Sequence, residues 1–468
     1  MTNDVDFAIL GGGIAGLVTA REILKRGQSV ALIERDRELG GLARTVVREG
    51  FRFDLGGHRF HSHNPSVVQW LKDLLGTDLL TVPRFSRIHL QGRFVEYPIR
   101  FPGALSIFSP PRAALMLGSF LAAKLTERER EDVSFEDWVV RRYGKALYRV
   151  FFEPYTEKVW GIPCRDLSAT WASQRIGIPS MWRAIRHAIS PPKEQLATAI
   201  SEFYYPRSGF GMIADALGAE IRKRGGDVMT GFPLSRLAPD PDGGFNVEID
   251  RGEGDRTRFH AKKVISSLPL NYLLAALPPE LGSRAIIDSY QLDYRDIICV
   301  FLALKTKNVS TDSWTYFPSA NLIFGRTHEP KNWSSEMVPS PDVTSLAVEI
   351  FSSRGEPVWM LPDGDLIENV VDQMVAIGWI RRADFMKGWV LRVPNAYPVY
   401  RIGYQDKLQH VKDYLSQWPD LHLVGRTGSF RYMNSDGVIE DVFELMTRLF
   451  PEGAPEVEAP LVDEGRWV

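Results

Sequence analysis

Residues 6–17 read DFAILGGGIAGL, an apolar run that leads directly into a cluster of glycines. An amphipathic segment follows to residue 26, and a second apolar run over residues 29–33 stops at Glu34. This order predicts a strand, a tight turn, a helix and a parallel strand, with an acidic residue about twenty positions after the glycines. It is typical of a dinucleotide-binding unit, and a glycine turn in an ordinary βαβ unit is the alternative.

The glycines of this turn have separate predicted tasks. Gly11 permits the tight turn, Gly13 lets the backbone approach a pyrophosphate, and Gly16 lets the helix pack against the strand. The helix N-terminus then offers unpaired N–H groups and a partial positive charge to the phosphates. Glu34 is placed to accept hydrogen bonds from ribose hydroxyls, and its charge would repel a 2′-phosphate. The pattern therefore favours FAD or NAD over NADP.

Length and composition narrow the class of protein. A chain of 468 residues is too long for one hydrophobic core, so we expect more than one domain. A net charge of −2 gives no reason to expect nucleic acid as a partner. The two cysteines, Cys164 and Cys299, form no CxxC pair, which argues against a disulfide framework or a cysteine zinc site and favours a cytoplasmic location.

We expect no membrane span in this sequence. The apolar run over residues 113–125 is interrupted by Gly118 and Ser119 and is too short to cross a bilayer. It is more typical of a buried helix, with a place at a membrane surface as the alternative. The N-terminus carries acidic residues and enters the first strand within a few positions, so we also expect no signal peptide.

A second glycine pair favours a flavin over a nicotinamide. Residues 39–45 read LGGLART and follow Glu34 at a spacing similar to that in FAD enzymes of the glutathione-reductase type, such as amine oxidases. The two glycines would let the backbone pass close to the cofactor. Arg44 is then expected to meet a phosphate or the flavin edge, and a solvated arginine in a surface turn is the alternative.

Residues 51–63 read FRFDLGGHRFHSH and contain three histidines. These histidines have no carboxylate or cysteine at ligand spacing, so we predict no metal site here. Glycines beside a histidine better suit a loop that lies against a flat ring, with His58 near the flavin. This loop resembles the flavin-contacting loop of UDP-galactopyranose mutases, in which glycine and then glycine or proline precede the histidine. Arg59 stands where those enzymes carry an apolar residue.

The next segments also resemble these mutases. Residues 152–161, FEPYTEKVWG, are similar to a segment of the bacterial enzymes, and residues 171–175, WASQR, to one in their eukaryotic relatives. The resemblance makes Arg175 a ligand of a nucleotide diphosphate, for which a bidentate guanidinium is well suited. Tyr155 and Trp160 would help to shape the pocket. Composition alone would favour helix packing as the role of these aromatic residues, but their order along the chain argues for the pocket.

A second arginine is implied by the β-rich residues 295–350. The sequence around Arg326 resembles the site in the eukaryotic mutases where a further arginine meets the diphosphate. A surface arginine at a strand end is the alternative for Arg326.

Residues 421–437 read LHLVGRTGSFRYMNSDG and predict a strand, a glycine turn and then a helix over residues 438–449. In flavoproteins of this group such a turn and helix N-terminus lie by the cofactor, as the helix dipole favours. The glycine, arginine and tyrosine pattern closely resembles bacterial mutases, in which the tyrosine meets a substrate phosphate. Core packing is the alternative for Tyr432. Asn434 and Ser435 replace an acid and a methionine of the bacterial pattern.

The predicted fold class is α/β. We expect an FAD-binding Rossmann-like domain of the glutathione-reductase type with a helical insert and an antiparallel β-sheet substrate domain. The FAD-binding domain is expected to combine residues 1–100, 196–270 and 395–468, the helical insert residues 101–195, and the sheet domain residues 271–394.

The resemblance implies a flavin-dependent isomerase that interconverts pyranose and furanose forms of a UDP-hexose, with UDP-galactose as the first choice. In that family, N5 of the reduced flavin attacks the anomeric carbon, so a reductant such as NAD(P)H or a reductase is also implied. The alternative is an FAD-dependent oxidoreductase of the protoporphyrinogen oxidase or amine oxidase type that acts on an apolar substrate. A flavin-binding protein without catalysis is a third reading. A homo-oligomer is compatible with each.

These inferences assign residues to three roles. The expected catalytic residues are His58, Arg175 and Arg326. The expected cofactor-binding residues are Gly11, Gly13, Ile14, Ala15, Gly16, Glu34, Arg35, Gly41, Leu42, Arg44, Gly57, His58, Gly425, Arg426, Asp436, Gly437 and Val438. The expected substrate-binding residues are Tyr155, Trp160, Arg175, Arg326, Tyr397, Tyr400, Arg431 and Tyr432.

Overall fold

The computed structural model describes residues 4–97, 107–125, 131–176, 201–252, 255–278 and 283–451. Its strands, in chain order, are β1 (Val5–Leu10), β2 (Val30–Glu34), β3 (Thr45–Arg48), β4 (Phe51–Asp54), β5 (Leu79–Pro83), β6 (Ser86–Leu90), β7 (Arg93–Tyr97), β8 (Glu202–Pro206), β9 (Asp227–Thr230), β10 (Leu234–Pro239), β11 (Phe245–Asp250), β12 (Arg256–Ser266), β13 (Tyr294–Leu304), β14 (Trp314–Tyr316), β15 (Arg326–His328), β16 (Thr344–Ser352), β17 (Phe385–Pro398) and β18 (Leu421–Leu423).

The α-helices lie between and around these strands. They are Ile14–Leu24, Pro65–Leu75, Pro110–Leu125, Phe135–Tyr143, Lys145–Leu147, Glu153–Trp160, Ala169–Arg175, Met212–Lys223, Leu270–Ala276, Ser283–Tyr290, Pro357–Met360, Asp363–Ala376, Tyr404–Leu415, Gly425–Gly428 and Ser435–Leu449. A short π-helix, Tyr148–Phe152, continues into Glu153–Trp160. In the part of the chain described here, no helix combines the length and the apolar character needed to cross a membrane.

The first sheet carries the predicted dinucleotide-binding unit. Its strand order is β10-β11-β12-β1-β2-β9, and β18 pairs with β12. Strands β1, β2, β9, β12 and β18 run parallel, while β10 and β11 form an antiparallel extension. β2 is buried along its whole length, as expected of a parallel strand covered on both faces. The helix Ile14–Leu24 covers this sheet together with Met212–Lys223 and Ser435–Leu449.

The second sheet has the order β17-β13-β16-β15-β14-β6-β7. Its pairs are antiparallel except that β6 runs parallel to β14, so the predicted antiparallel sheet is mixed at this one junction. The central strand β13 is buried at ten consecutive positions after Tyr294. The helix Asp363–Ala376 packs over β13 and buries Leu366, Val370 and Val371.

Two predicted boundaries divide elements that the structure keeps together. The hairpin β6–β7 was assigned with residues 1–100 to the cofactor domain, but it hydrogen-bonds to β14 in the second sheet. Strand β17 runs across the predicted boundary between residues 394 and 395. The hairpin was assigned to the wrong sheet because a hairpin signal in sequence is local and does not name the sheet that the hairpin joins. The remaining domain boundaries stay predictions.

The helix Pro110–Leu125 corrects one further expectation. The apolar run was expected to form a buried helix, and it does form a helix, but Met116 is its one buried residue. Leu115, Leu117, Leu121 and Leu125 are exposed. An all-round apolar sequence does not reveal which face is covered, so burial could not be assigned from composition.

Candidate active site

The glycine turn after β1 adopts the geometry that the sequence predicts. Gly11 has φ +102°, and a Cβ on Gly16 would lie 1.9 Å from the carbonyl oxygen of Gly11, so neither position accepts a side chain without a shift. A Cβ on Gly13 would meet nothing within 4 Å. Gly13 is the N-cap of Ile14–Leu24 and provides no side-chain cap. The first amides of this helix therefore face open space and are free to bind an anion.

That open space is a cavity of about 1040 Å³ at the carboxyl ends of β1 and β2. This volume is at the upper end of the range for ligand sites. Predicted cofactor residues supply much of its lining, namely Gly11, Gly13, Ile14, Ala15, Glu34, Arg35, Gly41, Leu42, Arg44, His58, Gly425, Arg426 and Val438.

Glu34 is nearly buried and is already hydrogen-bonded in this cavity. Its carboxylate accepts hydrogen bonds from the backbone N–H groups of Gly12, at 2.7 Å, and Asp36, at 2.9 Å. Burial raises the pKa of Glu34, and these two hydrogen bonds oppose the rise. A carboxylate has about four acceptor sites, so ribose hydroxyls would use those that remain. Arg35 lies beside it, half exposed and 3.6 Å from Asp36.

The glycine pair at residues 40 and 41 lies against the glycine turn that follows β1. The N–H of Gly40 donates to the carbonyl of Gly12 at 2.7 Å, and a Cβ on Gly41 would lie 3.4 Å from the Cα of Gly13. Gly40 and Gly41 both have positive φ values. Close backbone contact therefore explains why this segment carries glycines. Arg44 forms an ion pair with Asp36 at 3.2 Å.

The C-terminal turn closes the cavity. Gly425 has φ +78°, and a Cβ there would lie 2.6 Å from the Cβ of Ala15. The helix after the turn begins at Ser435, three residues earlier than predicted. Asp436 is buried, which raises its pKa to about 6. Val438 lines the cavity, whereas Gly437 packs beside Met433.

The histidine loop connects the cofactor cavity to the second sheet. The N–H of Gly57 donates to Glu349 Oε1 at 3.0 Å, and a Cβ on Gly56, which has φ +117°, would lie 3.7 Å from the same carboxylate. His58 stacks on Phe210 with ring centroids 5.2 Å apart. Burial, assisted by the nearby Arg426, lowers the pKa of His58 to about 4, so the imidazole is neutral at neutral pH.

Arg326 is held by a carboxylate that the sequence analysis did not identify. Arg326 Nε donates to Glu349 Oε1 at 2.8 Å, and its Nη2 donates to Oε2 at 2.5 Å. The two residues face each other on β15 and β16, and Glu349 is buried. Burial alone would lower the pKa of Arg326, but Glu349 raises it well above its ordinary value. The guanidinium is thus preoriented, with Nη1 left for another partner.

Predicted substrate residues gather beside this pair. Tyr397 and Tyr432 stack with centroids 5.7 Å apart, and the guanidinium of Arg426 lies 5.4 Å and 4.9 Å from their rings. Tyr155 contacts Tyr316 edge to face, and burial raises its pKa well above the ordinary value. We call this group of side chains the phenol–guanidinium cluster; it consists of Tyr155, Arg326, Tyr397, Arg426 and Tyr432.

Other predicted substrate residues have different surroundings. Trp160 lies 6.3 Å from Tyr432 and packs on Trp171, while the hydroxyl of Tyr400 accepts a hydrogen bond from the backbone of Tyr432. Arg431 is not brought into the phenol–guanidinium cluster, because its side chain is more than half exposed and forms an ion pair with Asp441. Arg175 ends the helix Ala169–Arg175, and its side chain lies outside the described structure.

The sequence analysis did not assign several of the residues that line the cavity. Ser267, Tyr272, Asn395 and Asn434 line the cavity but were not among the predicted site residues. Asn395 has φ +55°, an unusual conformation for a residue other than glycine. Within the described residues, no group of three or more His, Cys, Asp or Glu side chains is placed to hold a metal ion.

A flavin dinucleotide fits the residues around this cavity. They include the glycine turn after β1, the glycine pair at residues 40 and 41, Glu34 and the histidine loop. Residues 14–440 match the sequence profile of the family described as flavin containing amine oxidoreductase. The chain belongs to this family, which places it among flavin-dependent enzymes with FAD as the cofactor.

The individual relatives belong to two classes of enzyme, mutases and oxidases. The chain is similar to a protein named "Probable UDP-galactopyranose mutase" from Klebsiella pneumoniae, with 26% identity over 36% of this chain and 44% of that protein. It is also similar to a coproporphyrinogen III oxidase from Propionibacterium freudenreichii, with 22% identity over 87% of this chain and 84% of that protein. The mutase match thus spans less than half of that relative's length.

Solved structures agree on the fold. A reduced UDP-galactopyranose mutase superposes with a TM-score of 0.83 at 22% identity over 96% of both chains. A putrescine oxidase bound to putrescine superposes with a TM-score of 0.66 at 16% identity, over 97% of this chain and 100% of that chain. At these identities the likeness concerns the fold.

Proposed function

We propose that this protein is a flavin-dependent nucleotide-sugar mutase that interconverts pyranose and furanose forms of a UDP-hexose, with UDP-galactose as the first candidate. The phenol–guanidinium cluster beside His58 is the observation that carries the proposal. An oxidase that abstracts a hydride from an apolar substrate would need a hydrophobic surface beside the flavin. Phenols and guanidinium groups instead suit a diphosphate leaving group.

Four residues of the cluster have a definite role under this proposal. Arg326 would direct its Nη1 at a phosphate oxygen, because its other N–H groups are held by Glu349. The charge of Arg326 is largely balanced by Glu349, so net attraction for the diphosphate would come from Arg175 and Arg426. Burial raises the pKa of Tyr155 and Tyr397, which keeps both phenols protonated as hydrogen-bond donors.

The cofactor and the loop around it would supply the remaining requirements. Reduced FAD supplies the nucleophile in this chemistry, so the protein needs no catalytic carboxylate pair. His58 is neutral and would support the flavin side of the sugar pocket without adding charge. The helix N-terminus at Gly13 and the acceptors of Glu34 would hold the dinucleotide. A nucleotide sugar and a reductant such as NAD(P)H or a reductase are the proposed small-molecule partners.

The experiment is a ring-isomer assay on flavin-loaded protein. The protein is reduced with dithionite and incubated with UDP-galactopyranose, and the products are followed by NMR. We expect a furanose product under reducing conditions and none with the oxidised protein, because only reduced flavin is nucleophilic. Absence of any ring isomer from UDP-hexoses would contradict the proposal.

A second candidate function rests on one specific observation. The coproporphyrinogen III oxidase relative aligns over 87% of this chain, far more than the mutase relative. An FAD-dependent oxidoreductase would consume an oxidant such as O₂ in step with its organic donor, whereas a mutase is redox-neutral over the cycle. Oxygen uptake with a porphyrinogen or amine donor, together with no ring isomer, would favour this candidate.

A further inference from the structure

Two arginines lie against one indole, that of Trp314, near the histidine loop. Arg59 directly follows His58, and Arg84 precedes β6. Their guanidinium carbons lie 4.8 Å and 5.4 Å from the ring centroid of Trp314. Trp314 is nearly buried, and its Nε1 donates to the hydroxyl of Tyr316 at 2.7 Å, which fixes the indole. The indole therefore gives both guanidinium groups a rigid platform.

These guanidinium groups carry buried donors with no acceptor. Arg59 Nη1 and Arg84 Nε and Nη1 are inaccessible to solvent and make no hydrogen bond. Neither residue forms an ion pair with any residue that the structure describes. A buried charged donor without a partner is costly, so it needs an explanation. Stacking on Trp314 compensates part of the charge but gives the N–H groups no oxygen.

Neighbouring arginines make the contrast clear. Arg326 is paired with Glu349, and Arg87, three positions after Arg84, is paired with Asp312 at 2.8 Å. The charge of Asp436 acts on Arg59 from a distance beyond ion pairing. Burial and the nearby Arg84 lower the pKa of Arg59 to about 10, so it is still charged at neutral pH.

The geometry points to an anion-binding subsite in which Arg59 and Arg84 together receive a carboxylate or phosphoryl group of a ligand. This subsite adjoins the phenol–guanidinium cluster through Tyr316, which contacts Tyr155 on one side and Trp314 on the other. The proposed function already assigns the diphosphate to Arg326, whose charge also acts on Arg59. The anion therefore belongs either to an acidic substituent on the substrate, such as a hexuronate carboxylate, or to a separate phosphate-bearing molecule.

Direct anion binding tests the subsite without reference to any sugar reaction. Inorganic phosphate is titrated by calorimetry into the oxidised, FAD-loaded protein and into Arg59→Met and Arg84→Met variants. Methionine retains apolar packing on Trp314 and removes the charge. We expect each variant to bind phosphate about tenfold or more weakly than the wild type. Arg93→Met, at an exposed position of β7, is the matched control and should bind phosphate like the wild type.

Lysine variants guard against a folding artefact. Arg59→Lys and Arg84→Lys keep the positive charge but lose the fork, so phosphate affinity should lie between wild type and the methionine variants. Flavin content and melting temperature are recorded for all variants. Phosphate affinity that is unchanged in both methionine variants, or absent in the wild type, would overturn the subsite.

A second experiment identifies the source of the anion. It rests on the proposed function, because it uses UDP-sugars as ligands. Binding of UDP-galacturonate is compared with that of UDP-galactose. A preference for the uronate that disappears in Arg59→Met assigns the anion to the substrate. Phosphate binding that is lost in the variants, without a uronate preference, assigns it to a separate molecule. If no UDP-sugar binds or reacts while the phosphate result holds, the mutase proposal fails and the subsite stands.

Discussion

At the scale of single residues, the site depends on charges that are paired inside the protein. Glu349 is the clearest case, because it fixes Arg326 and also accepts from the backbone of Gly57 on the histidine loop. A buried ion pair of this kind contributes little net stability, but loss of one partner leaves an unpaired buried charge. Substitution of Arg326 therefore mixes a loss of ligand binding with a loss of stability.

Paired substitutions separate these two effects. Arg326→Ala should lower the free energy of unfolding by about 3–5 kcal/mol, because Glu349 remains buried without its positively charged partner. The double variant Arg326→Met/Glu349→Gln removes both charges and should recover most of that loss. Denaturant titration of the flavin-loaded proteins measures the difference. A double variant as unstable as Arg326→Ala would show that charge burial is not the cause.

Asp54 predicts a pH effect that does not depend on the site. It is fully buried and accepts hydrogen bonds from Thr45, Tyr205 and the backbone of Phe210. Burial raises its pKa to about 6, so the folded state holds the proton more tightly than the unfolded state. This contribution to stability is complete below about pH 4, the unfolded pKa, and is lost as the pH rises to about 6.

The Asp54→Asn variant tests this sign. Its stability relative to the wild type should improve by roughly 2–3 kcal/mol between about pH 4 and pH 6.5, since asparagine does not titrate. Unfolding titrations at several pH values give this difference directly. A difference that is constant with pH, or that changes in the opposite direction, would contradict the raised pKa.

At the scale of elements, the glycine turn and the helix Ile14–Leu24 act as one unit. Gly16 is required by packing, since a Cβ there would lie 1.9 Å from the carbonyl oxygen of Gly11, whereas Gly13 has empty space beside it. The sequence motif contains both glycines, but only the surroundings in the folded protein show which glycine is needed for packing and which is needed for ligand binding.

Two alanine substitutions separate those tasks. Gly16→Ala should destabilise the protein strongly, because its Cβ would lie 1.9 Å from a carbonyl oxygen. Gly13 has φ −74°, a conformation that alanine adopts readily. The Gly13→Ala apoprotein should therefore keep its stability within about 0.5 kcal/mol. Its affinity for FAD should still fall, because the methyl group occupies the phosphate approach. Flavin fluorescence titration and apoprotein unfolding measure the two effects, and normal FAD affinity in Gly13→Ala would refute this assignment.

At the scale of the whole molecule, the cofactor cavity joins segments that are far apart in the chain. Its lining comes from the turns after β1 and β2, from residues 267–276, from β17 and from the segment after β18. β17 belongs to the second sheet, so a ligand that fills this cavity would contact elements of both sheets. A ligand in this position stabilises their arrangement by its binding free energy.

Removal of FAD should therefore lower the free energy of unfolding. At a free FAD concentration one thousand times the dissociation constant, the expected stabilisation is about 4 kcal/mol. Melting curves at increasing FAD should shift upwards with concentration, and amide exchange in β17 should slow. Equal melting temperatures for apoprotein and loaded protein would show that FAD does not bind this folded state.

The α/β class, the βαβ unit with its glycine turn, and the FAD cofactor were correctly predicted from the sequence. These features depend on contacts between residues close in the chain, where apolar periodicity and glycine spacing carry the information. The sequence motifs also indicated thirteen of the residues that line the cofactor cavity. Roles assigned to individual site residues stay predictions.

The tertiary structure decided what those local patterns left open. Glu349 meets Gly57 across 292 positions, the hairpin β6–β7 joins the second sheet, and Arg59 and Arg84 meet on Trp314. The sequence by itself determined the elements and the cofactor, because local sterics and periodicity specify them. Which charges are paired and which are left for a ligand was decided by the packing of distant strands.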